Sequence, residues 1–298
     1  MAPTDRKRAS DYPPEVLELF DGYVHAALSR RDFLERAAKY AVGGMTALAM
    51  LESLRPNFAW AEHVSAKDAR LATEYIDYPS PLGSMRMRGY LARPAKAAGK
   101  LPGVVVIHEN RGLNPYIEDV ARRLAVEGYL AFAPDALTPL GGYPGDEDRA
   151  RELFGKLDAA NRTEDLVAAA EYVRLRGDVN GKIGAIGFCF GGGAANLLAS
   201  RLPWLAAAVP FYGPGVGDEE TKGIKAALQL HFAGTDERVN ATWPAYETAL
   251  KTHKVRHEAF SYPGAQHGFH NDTTPRYDEA AAKLAWSRAL AHFKKYLR

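Results

Sequence analysis

The sequence has a single cysteine, Cys189, among 298 residues. No intramolecular disulfide is available, so the fold owes nothing to oxidation and any chemistry of Cys189 is that of a thiol. Long apolar runs are also missing. None reaches the ~18 residues that a membrane-spanning helix requires, and the nearest stretch, Ala41–Leu51, is too short. Nor is there an excess of either charge: 38 Lys and Arg against 36 Asp and Glu leave a formal charge of +2. This is no footprint for nucleic acid, and a small or neutral partner fits better. With 47% hydrophobic and 25% charged residues, the chain has the composition of a globular protein with a sizeable core.

The short apolar stretch has informative flanks. Ser29-Arg30-Arg31-Asp32-Phe33-Leu34 precedes the Gly- and Ala-rich run Ala37–Leu51, which is followed by Arg55, Pro56 and the triplet Ala59-Trp60-Ala61. This order resembles a twin-arginine export signal cleaved after Ala61, which implies passage through the twin-arginine export machinery to the periplasm. The other reading is an amphipathic helix docked on the following domain, which leaves the protein cytoplasmic. Glu35 and Glu52 depart from the signal pattern. Eight basic and eight acidic side chains in residues 1–61 exclude a polybasic membrane anchor.

Residues 62–298 contain neither a fixed-period repeat nor a linker long enough to divide them, and they read as one domain after an N-terminal segment of residues 1–61. Thr73–Tyr78 and Met85–Ala92 alternate like an antiparallel edge pair. Gly103–His108 is a continuous β-branched run, as in a strand buried on both faces. Strand patterns at Leu130–Ala133, Lys182–Gly187, Ala206–Phe211, Ala227–Phe232 and His257–Tyr262 then alternate with helical ones. Those helices are expected at Pro115–Glu127, Asp146–Leu157, Thr163–Arg176, Gly191–Ser200, Trp243–Lys251 and Ala280–Tyr296. The class is α/β, a mainly parallel sheet with helices on both faces, whose chemistry belongs at the carboxyl ends of the strands.

At one such end lies Gly187-Phe188-Cys189-Phe190-Gly191-Gly192-Gly193, between the apolar strand and a small-residue helix. Glycines two before and two after Cys189 allow a tight strand-to-helix turn, the form of a nucleophile elbow. Such a turn aims the helix's positive end at the side chain and favours thiolate over thiol. The alternative is a buried structural cysteine. A nucleophile needs a base, and the base an orienter. Asp236 and His267 follow the next two strands in that order, although each has a blander reading, as a helix cap or a loop histidine.

Together these residues resemble the dienelactone hydrolase (carboxymethylenebutenolidase) family of the α/β-hydrolase fold. The resemblance rests on Gly187–Gly192, on Ala233–Asp236 followed by His267-Gly268-Phe269, and on His108-Glu109-Asn110-Arg111-Gly112-Leu113-Asn114 after the first parallel strand. It implies a Cys189, His267 and Asp236 triad, with Glu109 helping to generate the thiolate when substrate binds. The alternative for Glu109 is the ion-pair partner of Arg111, with the catalytic role favoured. The backbone N–H groups of Phe190 and Asn110 are the expected oxyanion hole. An arginine clamp for a substrate carboxylate is expected at Arg151, with Arg149 competing for the place. A second arginine, four residues past the histidine, is replaced by Asn271, which weakens the case for dienelactone itself.

The expected function is hydrolysis of a small ester or lactone through a thioester acyl-enzyme, without cofactor or metal. His253, His257, His267, His270 and Asp272 lack metal-site spacing. The competing reading is an exported, non-catalytic domain that binds a small molecule or a partner. A thiol peroxidase is disfavoured because there is no resolving cysteine.

Overall fold

A computed structural model of the chain describes residues 7–41, 45–60 and 62–298. The expected cleavage residue Ala61, and Val42 to Gly44 within the apolar run, lie outside the described residues. Three helices come first, α1 (Pro14–Val24), α2 (Arg30–Ala37) and α3 (Ala47–Leu54). The strands are β1 (Leu71–Ser80), β2 (Met85–Pro94), β3 (Leu101–Ile107), β4 (Leu130–Pro134), β5 (Val179–Phe188), β6 (Ala207–Phe211), β7 (Ala227–Ala233) and β8 (His257–Tyr262). Interleaved with them are α4 (Pro115–Val126), α5 (Glu147–Phe154), α6 (Ala159–Arg174), α7 (Phe190–Arg201), α8 (Asp218–Lys222), α9 (Glu237–Asn240), α10 (Trp243–Thr252) and α11 (Glu279–Leu297).

The strands form one sheet in the order β1-β2-β4-β3-β5-β6-β7-β8. β1 pairs antiparallel with β2, and β2 with β4, while every pairing from β4 through β8 is parallel. Alternate residues of the central strands feed two cores. Val104, Val106, Ile186 and Phe188 face α4 and α11 on one side. Val105, Ile107, Ile183 and Ala185 face α6, α7 and α10 on the other. This two-sided burial explains why β3 reads as an unbroken apolar run rather than an alternating one.

Two boundaries differ from expectation for a local reason. α6 begins at Ala159, four residues before Thr163, because the Asp158 side chain accepts from Asn161 N–H and supplies an N-cap. α5 begins after Asp146, which caps Arg149 N–H in the same way. The short helices α8 and α9 had no periodicity to announce them.

The N-terminal helices form a third core of their own. Val16, Leu17, Phe20, Tyr23 and Val24 lie along one face of α1 and pack on Phe33, Ala37, Met50, Leu51 and Leu54. Capping supports the local structure: Ser29 and Asp32 make a reciprocal capping box, and Thr46 caps Ala49 N–H. The twin arginines are both paired, Arg30 with Asp148 of α5 at 3.0 Å and Arg31 with Glu35 at 2.7 Å. Further bonds to the sheet domain run from Tyr23 Oη to Asp148 (2.6 Å), from Asn110 Nδ2 to the Val24 carbonyl (2.8 Å) and from Asn57 N–H to the Thr273 carbonyl (2.8 Å). Arg55 also bonds Asp148.

Phe33 is fully buried at the centre of this small core. Phe33→Ala should remove about 3–5 kcal/mol from it. Hydrogen exchange followed by mass spectrometry should then show residues 14–54 losing protection well before the β3–β7 strands; loss of protection in both regions together would mean that the two cores are not separable.

Candidate active site

Cys189 sits where β5 turns into α7, with φ of 56° and ψ of −113°. A non-glycine residue in this region is strained and persists only where its surroundings impose it. Here they do. A Cβ on Gly187 would stand 1.9 Å from the Gly191 carbonyl oxygen, and one on Gly191 would stand 2.2 Å from the Ile107 carbonyl oxygen. Glycine at both positions lets the first turn of α7 press against the ends of β3 and β5. Cys189 N–H donates to the Phe211 carbonyl at 3.0 Å, which fixes the turn to β6. Phe190 N–H is the first of α7 and has no acceptor within the helix.

His267 lies on the loop after β8, and its Nδ1 meets Asp236 Oδ2 at 2.5 Å. Asp236 follows β7 and does two things at once, since its Oδ1 accepts from Val239 N–H and caps α9. His267 Nε2 is buried and faces the Cys189 sulfur. A second imidazole faces the same sulfur. His25, the residue that ends α1, places Nε2 3.4 Å from Cys189 Sγ. The two histidine rings meet edge to face at 4.7 Å. Arg238 Nη2 lies 3.1 Å from His25 Nε2 and 3.4 Å from His267 Nδ1.

These neighbours decide the charge state. Burial alone would raise the Cys189 thiol, but the charge on His267 and the hydrogen bond and charge of His25 bring it down to about 5. Burial alone would lower His267, yet the sulfur's negative charge and the Asp236 hydrogen bond raise it to about 10. His25 is raised as well, against burial, by its bonds to Asp21 and Cys189. These shifts favour a Cys189 thiolate beside a protonated His267. Among the described residues, His25, Cys189 and His267 are also the one group whose ligand atoms could hold a metal ion, lying within 4.8 Å of one another. His253, His257 and His270 bond instead to Asp218, the Val255 carbonyl and Tyr116.

The remaining expected residues surround this centre with varied engagement. Glu109 is buried and accepts from Asn271 Nδ2 at 3.0 Å, with Arg111 3.7 Å away. Arg111 in turn pairs with Glu147 at 3.0 Å. The Asn110 side chain is tied to the N-terminal segment, as described. Arg151 stacks on Tyr23, its guanidinium carbon 3.8 Å from the ring centroid, and pairs with Asp148 at 3.4 Å. Arg149 is turned to solvent and pairs with Glu152 at 3.2 Å. Sequence reasoning missed His25, Asp21, Tyr23 and Arg238. The apolar spacing of Val16, Phe20, Tyr23 and Val24 marks the helix that carries the first three, but nothing local points it at residue 189.

The profile of the dienelactone hydrolase family matches residues 87–297. The chain belongs to the dienelactone hydrolase family. A Synechocystis protein named "Putative carboxymethylenebutenolidase" is 36% identical over 73% of this chain and 95% of its own length. The Escherichia coli "Putative hydrolase fragment YghX" is 58% identical over 39% of this chain and all of its own. The crystal structure of a "Putative Dienelactone Hydrolase" from Klebsiella pneumoniae superposes with a TM-score of 0.67 at 32% identity, over 76% of this chain and all of that one. The fold and the class of hydrolase expected from the sequence are thus established. Residues 3–39 match a different profile, described as YqhI-like, so His25 lies outside the hydrolase match.

Two outcomes follow. Gly187→Ala should prevent the elbow from closing and leave little soluble protein, measured by expression and circular dichroism; a stable, folded variant would contradict the close approach. Alkylation of Cys189 by iodoacetamide should rise with a midpoint near pH 5 rather than near the ordinary 9, because the thiolate is present above the lowered value and lost below it.

Proposed function

We propose that this dienelactone hydrolase family member cleaves a small carboxylic ester or lactone through a thioester on Cys189. The observation that carries this reading is the strained Cys189, with its sulfur facing an imidazole whose other nitrogen is held by Asp236. The thiolate adds to the carbonyl carbon, and the oxyanion is received by the backbone N–H groups of Phe190 and Asn110. As the carbon–oxygen bond breaks, His267 gives its proton to the leaving oxygen. Neutral His267, still oriented by Asp236, then takes a proton from water as that water attacks the thioester. The acid leaves and the thiolate and imidazolium return. Thiolate formation in this arrangement does not wait on Glu109, whose carboxylate is engaged by Asn271 and Arg111.

The substrate we assign is neutral around its acyl group. Arg151, the arginine placed to clamp a carboxylate, is stacked on Tyr23 and paired with Asp148, and Asn271 stands where a second arginine would complete a fork. Neither is offered as a free bidentate anchor. A neutral activated acetyl ester should therefore be hydrolysed, with kcat/KM well above that for dienelactone. Cys189→Ala should abolish turnover of both while leaving the circular dichroism spectrum unchanged. Undiminished turnover by that variant would overturn the mechanism, and a preference for dienelactone would restore Arg151 as a clamp.

We further propose that residues 14–60 stay with the enzyme as a resident part of its site. Their private core and their bonds to Asp148, Asn110 and Thr273 support this. Export with cleavage after Ala61 would remove them. The intact mass of protein recovered from cells should correspond to a chain that still contains residue 25; a product beginning at residue 62 would overturn the proposal.

A further inference from the structure

The N-terminal segment brings to the sulfur a second imidazole–carboxylate pair that parallels the first. His25 Nδ1 lies 2.9 Å from the Asp21 carbonyl oxygen and 3.2 Å from the Asp21 carboxylate. Both acceptors require a proton on Nδ1, which leaves Nε2 to meet Cys189 Sγ at 3.4 Å. His267 is built alike, with Nδ1 against Asp236 and Nε2 toward the sulfur. The charged and titratable groups facing His25 are Asp21 from its own helix and Arg238, His267 and Cys189 from the hydrolase domain. Asp21 is itself held by Arg276, at 3.3 Å, and faces Arg238 at 3.9 Å.

We propose that His25 is a positioning residue of the catalytic centre, donating from Nε2 to the Cys189 thiolate and, with Asp21 behind it, keeping the sulfur ionised and aimed. The N-terminal segment thereby completes a site that the hydrolase domain leaves with one imidazole. Three features favour this over a plug that substrate displaces. The segment carries its own buried core, it is anchored to the domain through Asp148 and through Arg276, and His25 closes α1 with its backbone N–H donating to the Asp21 carbonyl rather than riding on a free loop. The raised affinity of His25 for its proton agrees with a donor's role. The inference rests on Cys189 as the nucleophile.

The sign of the effect is fixed by the bond's direction. A donor to the thiolate favours the charged sulfur, so removing it raises the pH at which the thiolate forms. In full-length His25→Asn the alkylation midpoint of Cys189 should move upward by about one to two pH units, the effect expected of one hydrogen bond to a charged group. Because the chain has one cysteine, the adduct mass reports this residue alone. Ester hydrolysis should lose about 2- to 10-fold in kcat at pH 6, with KM little changed, and recover as pH rises past the new midpoint. Asp21→Asn should shift the profile in the same direction by a smaller amount. It also serves as the second variant if His25→Asn does not fold, as judged by circular dichroism.

An unchanged alkylation profile in both variants would overturn the proposal. So would faster hydrolysis by His25→Asn, which would make the histidine a plug. Failure of the underlying reading looks different: wild-type protein fully alkylated at Cys189 would still hydrolyse the ester.

Discussion

A buried sulfur whose neighbours favour its charged form is the constraint around which this site is organised. Taking a thiolate out of water is costly unless fixed partners replace the solvent. The partners here come from four parts of the chain. The amino end of α7 lies directly beneath Cys189, His267 arrives from the loop after β8, Asp236 from the end of β7 steadies that histidine, and His25 arrives from α1. Each element is useful only if the elbow closes, and the elbow closes only because Gly187 and Gly191 have no side chains. The parallel sheet matters to function through this geometry. It sets the carboxyl ends of β5, β7 and β8 along one edge of the sheet, with β6 between the first two, so that residues far apart in sequence converge on one atom.

Charge also ties the N-terminal helices to the site. Asp148 on α5 gathers Tyr23, Arg30, Arg55 and Arg151. Single exposed ion pairs contribute little, but this half-buried carboxylate holds several donors at once and thereby fixes Tyr23, two residues before His25. The same contacts engage the arginine that would recognise an anionic substrate. One network therefore shapes both the environment of the nucleophile and the class of acyl group that we propose it accepts.

Much of the sheet was legible because burial writes itself into sequence. Val104 to Ile107 could be read as a doubly buried strand, and the strand, glycine turn and small-residue helix around Cys189 could be read as an elbow. Asp236 shows why two readings of one residue can both hold: one carboxylate oxygen caps α9 and the other orients His267. Helical spacing could not separate Arg149 from Arg151, because the partner that distinguishes them, Tyr23, belongs to a segment with no local link to α5. Arg30 and Arg31 read as an export pattern, yet in the fold each is bonded to a carboxylate, one of them in α5. His25 was illegible for the same reason as Tyr23. Its meaning lies in a contact 164 residues away, and neither its spacing nor its neighbours carries that information.

The central claim is that the acyl group passes through Cys189, and the most direct measurement is the intact mass of the full-length chain quenched in acid during turnover of a slowly deacylating ester. The account predicts a fraction of the protein heavier by one acyl group. Peptide mapping should locate it on the segment containing Cys189, and it should be released by hydroxylamine as a thioester is. Steady consumption of ester with Cys189 unmodified throughout, or an acyl group found on another residue, would contradict it.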